Sequence, residues 1–439
     1  MSKTKYALTG FGATVLSLSL LFSSSFAQSP SESQSRLEAY NKLRKVIGTV
    51  ENYYVDEVTI NEIINKAIDG LLSNLDAHSS YLNEKKYEEL KVQTDGEFGG
   101  VGITISMKDG ALTIISPIED TPGDKAGLKS GDIILKIDDK STLNMTIDDA
   151  INLMRGKPKT KVKLTIVRKN EPKPFVVDII RDVIKVESVY AKRIENSEML
   201  YVRVTSFDKK VGKRVAEELK KASWAKGVVL DLRNNPGGLL NQAVELTDLF
   251  INEGVIVSQK GRISSEDAEF KASKNSPFAQ IPLAVLINNG SASASEIVAG
   301  ALQDHKRAIL VGENTFGKGS VQVVLPLDKN EGLRLTIARY YLPSGRTIQA
   351  LGITPDLIVH PGVAPREKKD DFSIKESELK QHLENELEKI GDKKEVKKEV
   401  KSDEDNKSVI SEENLWNDIQ LKSAMDALKT WSIINPAKK

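Results

Sequence analysis

The chain of 439 residues is long enough for two or three domains, and its apolar share of 39% and charged share of 28% are typical of a globular protein. Its 63 basic and 62 acidic residues give a formal charge of +1, so no global field would collect nucleic acid or an anionic membrane. The absence of cysteine excludes disulfides and thiolate sites, and the four histidines lack the spacing of a metal site.

The N-terminus has the order of features found in an export signal. Lys3 and Lys5 precede an uncharged, mostly apolar stretch at 7–22 that is short for a bilayer span. Ser25 and Ala27 then supply small residues at the two positions that a signal peptidase reads, which predicts a signal peptide at 1–27. An uncleaved signal would instead anchor the chain in a membrane. Both alternatives predict an exported protein of the periplasm or cell envelope.

The next three regions differ in their hydrophobic pattern. Residues 28–95 carry apolar side chains at near-helical spacing, which predicts an N-terminal helical region. From 96 to 186, short β-rich runs are separated by glycines, which predicts a β-rich domain. From 187 to 363, strands such as those at 227–232 and 283–287 alternate with helical stretches, as in α/β layering.

The C-terminal region changes composition sharply. Residues 366–407 include 12 basic and 14 acidic residues among 42, which predicts a charged, partly disordered linker at 364–410. A C-terminal amphipathic helix that packs back on the core is predicted at 411–439, from apolar residues at helical spacing: Leu415, Ile419, Leu421, Met425 and Leu428.

A glycine-rich run at 96–105 leads directly into a predicted strand. Glycines let successive backbone N–H groups converge on a carboxylate, and the strand offers an edge to which an extended peptide can add. A phosphate-binding loop would instead require Lys and Ser or Thr followed by a helix. By itself the run fits a simple turn equally well.

The segment that follows, at 116–135, closely resembles the helix–turn–strand signature of bacterial PDZ domains, with Gly131-Asp132 turning the chain into the next strand. The resemblance implies that 96–186 is a PDZ domain, which binds protein C-termini in a groove between a strand and a helix. The implied peptide-binding residues are Gly100, Val101, Gly102 and Ile103, with the carboxylate held by the N–H groups of the last three.

Four further segments, in order and at consistent spacing, resemble the carboxy-terminal processing proteases, also called tail-specific proteases: 75–82, 227–240, 288–297 and 312–322. The likeness runs from about residue 35 to 360, and Ala77 replaces the proline that is usual in the first segment. It implies an α+β multidomain fold. The β-rich PDZ domain is inserted before an α/β peptidase core of the crotonase/ClpP-like type at 187–363, and helical regions lie at both ends.

The chemistry of such a core requires a serine whose proton is taken by a base, together with donors for the oxyanion. Lysine can be that base where burial disfavours its ammonium form, and Lys318 lies in an unusual place between two glycines. The resemblance implies Ser293 as nucleophile, Lys318 as base and Gln322 as the residue that orients the lysine. The implied oxyanion hole combines the Ala294 N–H with an N–H from the Gly237-Gly238 turn.

Other polar residues near these motifs have simpler readings. Ser291 and Ser295 fit positions that start and cap a helix. Asp304 falls where the family is sometimes assigned a third catalytic member, and 11 residues would place it on the face of Ser293 but about 16 Å away along a straight helix. Its catalytic role stays open. The same distance makes His305 a helix-surface residue rather than a base, and His78 fits a turn.

Three other functions compete with a tail-specific protease. A PDZ scaffold that binds C-termini without cutting would lack Ser293 and Lys318 at this spacing. A trypsin-like protease would place a Gly-x-Ser-Gly-Gly element before its PDZ domain, and a crotonase-type hydratase would need neither export nor a tail receptor. We therefore expect a serine endopeptidase without cofactor or metal, which acts on protein substrates bound by their C-terminal tails. The oligomeric state, including a homo-oligomer, is left open.

Overall fold

The structure is a computed structural model and describes residues 30–108, 110–274, 276–328, 330–365 and 408–434. The chain divides into two compact units, Met1–Tyr81 and Leu82–Lys439. The predicted signal peptide and most of the predicted charged linker lie outside the described residues. None of the described helices is both long and apolar enough to cross a membrane.

The described part of the first unit is helical, as predicted. Helices α1 (Pro30–Tyr53) and α2 (Ile60–Ser73) are followed by strand β1 (Ser80–Leu82), which ends just beyond the unit. Helix α2 begins with a capping box, in which the side chains of Thr59 and Glu62 each bind the other's backbone N–H. After α2, the Asp76 carboxylate accepts the N–H of His78, which places this histidine in a turn.

The second unit begins with α3 (Glu84–Asp95) and continues into a β-rich domain. Its elements are β2 (Glu97–Gly100), β3 (Ile103–Lys108), β4 (Ala111–Pro117), α4 (Pro122–Lys125), β5 (Ile133–Ile137), β6 (Lys140–Ser141), α5 (Ile147–Met154), β7 (Lys161–Val167), β8 (Phe175–Ile180) and β9 (Asp182–Lys185). One sheet has the order β3-β4-β5-β7-β8 with β6 beside β5, and β2 pairs separately with β9. Strand β3 is therefore an edge strand of that sheet.

An α/β core follows. Its elements are β10 (Val189–Ile194), β11 (Met199–Val204), α6 (Val211–Lys221), β12 (Gly227–Asp231), α7 (Leu240–Asp248), β13 (Val255–Gly261), β14 (Ala268–Lys271), β15 (Leu283–Ile287), α8 (Ala294–Asp304), β16 (Ile309–Gly312), β17 (Ser320–Asp328), β18 (Glu331–Tyr341) and β19 (Leu357–Ile358). Every residue of β12 and β15 is buried, as expected of central parallel strands covered by helices on their faces.

The C-terminal segment completes the main sheet. It consists of β20 (Val409–Ile410), α9 (Glu412–Trp416) and α10 (Ile419–Ile434), and the sheet has the order β19-β16-β15-β12-β11-β10-β20. All neighbouring pairs are parallel except β10 with β11. The predicted amphipathic helix is present, and it packs on the core through buried apolar residues: Leu421, Ala424, Met425 and Leu428.

A smaller antiparallel sheet lies beside the main one within the core. Strand β13 pairs with both β14 and β18, and β17 forms a long hairpin with β18. The carboxyl ends of β12 and β15, the start of α8 and this hairpin converge on the turns that carry the predicted catalytic motifs. The exact domain boundaries stay predictions.

Candidate active site

Ser293 occupies a strained turn at the start of α8. Its φ of 56° lies in a region that non-glycine residues rarely adopt, and such strain persists only where the surroundings hold it. The Ser293 N–H donates to the Glu296 carboxylate at 2.8 Å, and the Ser293 hydroxyl lies 2.9 Å from the hydroxyl of Tyr340. The hydroxyl therefore stands at the N-terminus of a helix, where developing negative charge is favoured.

The Glu296 carboxylate joins two loops that the chemistry requires to be close. Its side chain is 0% exposed and accepts four hydrogen bonds. The donors are the Ser293 N–H (2.8 Å), the Thr315 hydroxyl (2.5 Å), the Gly317 N–H (2.7 Å) and the Lys318 N–H (2.9 Å). Burial raises the pKa of Glu296 above its ordinary value, although these bonds oppose the shift.

Sequence reasoning missed Glu296. A signal for it was present, because Ser followed three residues later by Glu is the spacing of a capping box at a helix start. Tyr340 was also missed, and it carries no comparable signal because it reaches Ser293 from the far strand of the β17–β18 hairpin. Burial raises the pKa of Tyr340, so this phenol keeps its proton and is no base for the serine.

The loop that carries Lys318 lies along the nucleophile turn. The Phe316 N–H donates to the Ser291 carbonyl at 3.0 Å, and the Lys318 N–H reaches Glu296 as described. A β-carbon on Gly319 would lie 2.7 Å from the Gln349 backbone nitrogen, so a glycine is needed there for close approach of another part of the chain. Lys318 itself is half-buried. The main chain at Lys318 is thus fixed beside the first turn of α8.

The predicted oxyanion turn also reaches Ser293. A β-carbon on Gly237 would lie 2.8 Å from Cβ of Ser293 and 3.0 Å from the Ala294 nitrogen. The Gly237 N–H already donates to the Asn235 side chain at 2.9 Å. In contrast, the N–H groups of Gly238 and Ala294 have no acceptor among the described residues. Of the two predicted glycines, Gly238 therefore has the available donor.

The two neighbouring serines bind this turn. The Ser295 hydroxyl donates to the Asn235 carbonyl at 2.9 Å, and the Ser291 hydroxyl donates to the Leu232 carbonyl at 2.8 Å. Both side chains are fully buried. Their hydroxyl protons are used to hold the end of β12 against the start of α8, whereas the Ser293 hydroxyl meets the hydroxyl of Tyr340.

Other predicted site residues lie elsewhere. The Gln322 amide donates to the hydroxyls of Ser320 (2.9 Å) and Thr336 (3.1 Å), so its contact with Lys318 stays a prediction. The structure does not bring Asp304 to Ser293, because Asp304 ends α8 and pairs with Arg346 at 2.8 Å. His305 caps the end of α8, and its half-buried ring bonds the Val255 carbonyl at 2.7 Å, so it packs against β13 and lies away from Ser293.

The predicted tail receptor lies in the β-rich domain. Gly102 has a φ of 75°, and its carbonyl accepts the Ile118 N–H at 2.9 Å. The Val101 carbonyl is likewise held, by the Gly123 N–H at 2.6 Å, while the N–H groups of Val101 and Gly102 have no acceptor in the described chain. Ile103 begins the edge strand β3, and Gly100 instead pairs with Asp182 in β9.

No group of three or more His, Asp or Glu side chains that could hold a metal ion occurs in the part of the chain that the structure describes. The constellation at Ser293 instead has the parts of an acyl-transfer site: a hydroxyl at a helix start, unused N–H donors beside it, and a lysine loop fixed against it.

Comparison with known proteins agrees with this chemistry. The carboxy-terminal-processing protease of Bartonella bacilliformis is 44% identical over 353 residues, which cover 78% of this chain and 81% of that protein. The chain belongs to the carboxy-terminal processing proteases. The family models for peptidase family S41 and for the PDZ domain match residues 198–359 and 113–168. The predicted family, the serine-type peptidase activity and the order of PDZ domain before peptidase core are confirmed.

Other carboxy-terminal processing proteases are similar over comparable lengths. CtpA of Bacillus subtilis is 33% identical over 80% of this chain and 75% of its own length. Among solved structures, the photosystem II D1 C-terminal processing protease is 28% identical, with 74% of this chain and 88% of that chain covered and a TM-score of 0.44.

Proposed function

We propose that this protease is exported and cleaves protein substrates near their C-termini, with Ser293 as nucleophile and Lys318 as base. The observation that carries the proposal is the buried Glu296 carboxylate, which bonds the backbone N–H groups of both residues. The PDZ domain would first bind the substrate's C-terminal carboxylate on the free N–H groups of the loop at Val101 and Gly102.

The reaction would proceed by acyl transfer. Neutral Lys318 takes the hydroxyl proton as Oγ of Ser293 attacks the scissile carbonyl carbon. The N–H groups of Ala294 and Gly238 stabilise the resulting oxyanion, with support from the start of α8. The C–N bond then breaks, the lysine's proton passes to the leaving amine, and water hydrolyses the acyl-enzyme by the same steps in reverse roles.

Two variants and one control, Ser295→Ala, test these roles with one tail peptide and one fluorophosphonate label. Ser293→Ala should abolish both cleavage and labelling while the protein stays folded. Ser295→Ala should still be labelled and should lose much less activity, because its hydroxyl binds the Asn235 carbonyl and takes no part in the attack. Lys318→Arg should also be inactive, because a guanidinium keeps its proton at every workable pH. An active Ser293→Ala, or a fully active Lys318→Arg, would contradict the proposal.

A further inference from the structure

Arg233 links the C-terminal segment to the turn that precedes the oxyanion glycines. Its guanidinium donates to both oxygens of Asp231, with distances from 2.7 to 3.1 Å. It also donates to both oxygens of Asp418 (3.0 and 2.7 Å) and to the Gln420 side chain at 2.9 Å. Every guanidinium nitrogen is used, in the planar two-pronged geometry that gives arginine pairs their strength. Asp418 and Gln420 are 185 and 187 residues away along the chain.

This cluster is largely removed from water. The side chains of Asp231 and Gln420 are 1% and 3% exposed, and that of Arg233 is 15% exposed. Asp231 also accepts the Tyr201 hydroxyl at 2.7 Å. Removing one acceptor from such a cluster leaves a buried guanidinium N–H without a partner, and the remaining groups then move to recover their bonds.

Arg233 is joined to the oxyanion turn through its own main chain. Its backbone N–H donates to Asp231 at 3.0 Å, so both its backbone and its side chain are fixed. The following Asn234 has a φ of 57°, and its N–H donates to Asn288, in the turn before Ser291. From there only Asn235 and Pro236 separate Asn234 from Gly237, so the main chain that is fixed at Arg233 leads within a few residues to the donors beside Ser293.

The C-terminal segment is itself held rigidly at this point. Asp418 Oδ1 accepts the Leu421 N–H at 3.0 Å, and the Gln420 amide donates to the Val359 carbonyl at 2.8 Å. Burial opposes the charged form of Asp418, and the bonds from Arg233 outweigh it, so its pKa lies below the ordinary value. Asp418 is thus a fixed anion opposite Arg233.

We infer that Asp418 and Gln420 are positioning residues for catalysis: through Arg233, the C-terminal segment 409–434 holds the oxyanion turn in register with Ser293. This inference rests on the proposed function of Ser293 and extends it. The segment touches no reacting atom in this role. It supplies the acceptors for the guanidinium N–H groups that Asp231 does not reach.

The test compares Asp418→Asn with Asp426→Asn, a matched control on an exposed face of α10 where Asp426 pairs with Lys422. Asp418→Asn should lower kcat for a tail peptide by about 10- to 100-fold with little change in KM, because small displacements of oxyanion donors have effects of this size. Affinity for a peptide aldehyde, whose bound oxygen imitates the oxyanion, should fall by the same factor. Asp426→Asn should match the wild type.

A merely structural role would give a different result. If part of the Asp418→Asn protein is misfolded, its active sites are titrated by complete labelling with fluorophosphonate, and kcat is calculated per labelled site. Gln420→Met is a milder second variant, because it removes one acceptor of the Arg233 guanidinium. A normal kcat per labelled site and normal aldehyde affinity in both variants would overturn the inference. A wild-type chain that is neither labelled nor active would contradict the proposed function itself.

Discussion

At the scale of single residues, Glu296 joins the turn of Ser293 to the loop of Lys318. A carboxylate offers two oxygens and no proton, and here those oxygens meet four donors from two loops. Glutamine has the same shape, but its NH₂ group would face donors that need an acceptor. Burial disfavours the charged form of Glu296 and raises its pKa. The ionised carboxylate therefore lowers the stability of the folded protein near neutral pH.

We therefore predict two effects of Glu296→Gln. Activity should fall at least 100-fold, because the turns of Ser293 and Lys318 lose their common acceptor. The pH dependence of stability should also change: a carboxyl whose folded pKa is raised contributes stability that is complete below its ordinary value of 4.5 and is lost as the pH rises through the folded value. Urea unfolding between pH 4 and 7 should show that the wild type loses stability relative to Glu296→Gln as the pH rises.

The control for this experiment is Glu217→Gln, which changes a half-exposed carboxylate on α6. It should retain activity and the pH dependence of the wild type. Equal pH dependence in the wild type and Glu296→Gln would show that the Glu296 carboxyl does not titrate differently in the two states.

At the scale of elements, the edge strand β3 and the loop before it form the candidate tail receptor. The loop keeps its shape because the Val101 and Gly102 carbonyls are held by hydrogen bonds. Since the C=O of one residue and the N–H of the next point in opposite directions across a trans peptide, these bonds turn the N–H groups of Gly102 and Ile103 the other way. Gly102 is required in this arrangement, since a β-carbon there would overlap the side chain of Thr121.

We predict that the wild-type enzyme cleaves a tail peptide with a free C-terminal carboxylate much faster than its amide, by about tenfold or more, since charge-assisted hydrogen bonds are roughly twice as strong as neutral ones. Gly102→Ala should remove this preference. Gly110→Ala is the matched control, because Gly110 has a φ of 76° but a β-carbon there meets no atom within 4 Å. The measurement is the ratio of kcat/KM for the acid peptide to kcat/KM for the amide, determined for each enzyme. A ratio of one for the wild type would contradict binding of the substrate's C-terminal carboxylate by the PDZ domain.

At the scale of the whole molecule, the sequence predicts a protein that is delivered across a membrane before it acts. The stretch at 1–27 has the charge, apolar length and small residues of a signal, and the near-neutral remainder has no strong field for anionic partners. We propose that the mature chain works in the periplasm or cell envelope, and an uncleaved signal would add membrane association.

Export predicts a mature chain that begins at Gln28. N-terminal sequencing of protein from a periplasmic extract should find that residue, and Ala27→Leu should leave the precursor uncut and membrane-bound, because the peptidase reads a small residue there. Ser24→Ala, outside the two positions that are read, should be processed normally. Protein found only in the cytoplasm, with residue 1 or 2 at its start, would refute the prediction.

The sequence by itself determined the features that depend on near neighbours. The glycines at 317 and 319, the serine before a helix and the turn at Gly237-Gly238 are properties of short segments, and the resemblance of these segments to a family identified the chain. The helical, β-rich and α/β regions followed in the same way, because hydrophobic periodicity is a local signal.

Only the tertiary structure decided which distant groups meet. Glu296 and Lys318 are 22 residues apart, and Arg233 and Asp418 are 185 apart. Gly238 rather than Gly237 offers its N–H because the Asn235 side chain accepts the Gly237 N–H. Helix geometry already separated Asp304 from Ser293, but only the structure shows that its partner is Arg346. A buried polar group forms its hydrogen bond with a partner that the packing of the chain brings close to it. The spacing of residues along the sequence does not predict which partner that is.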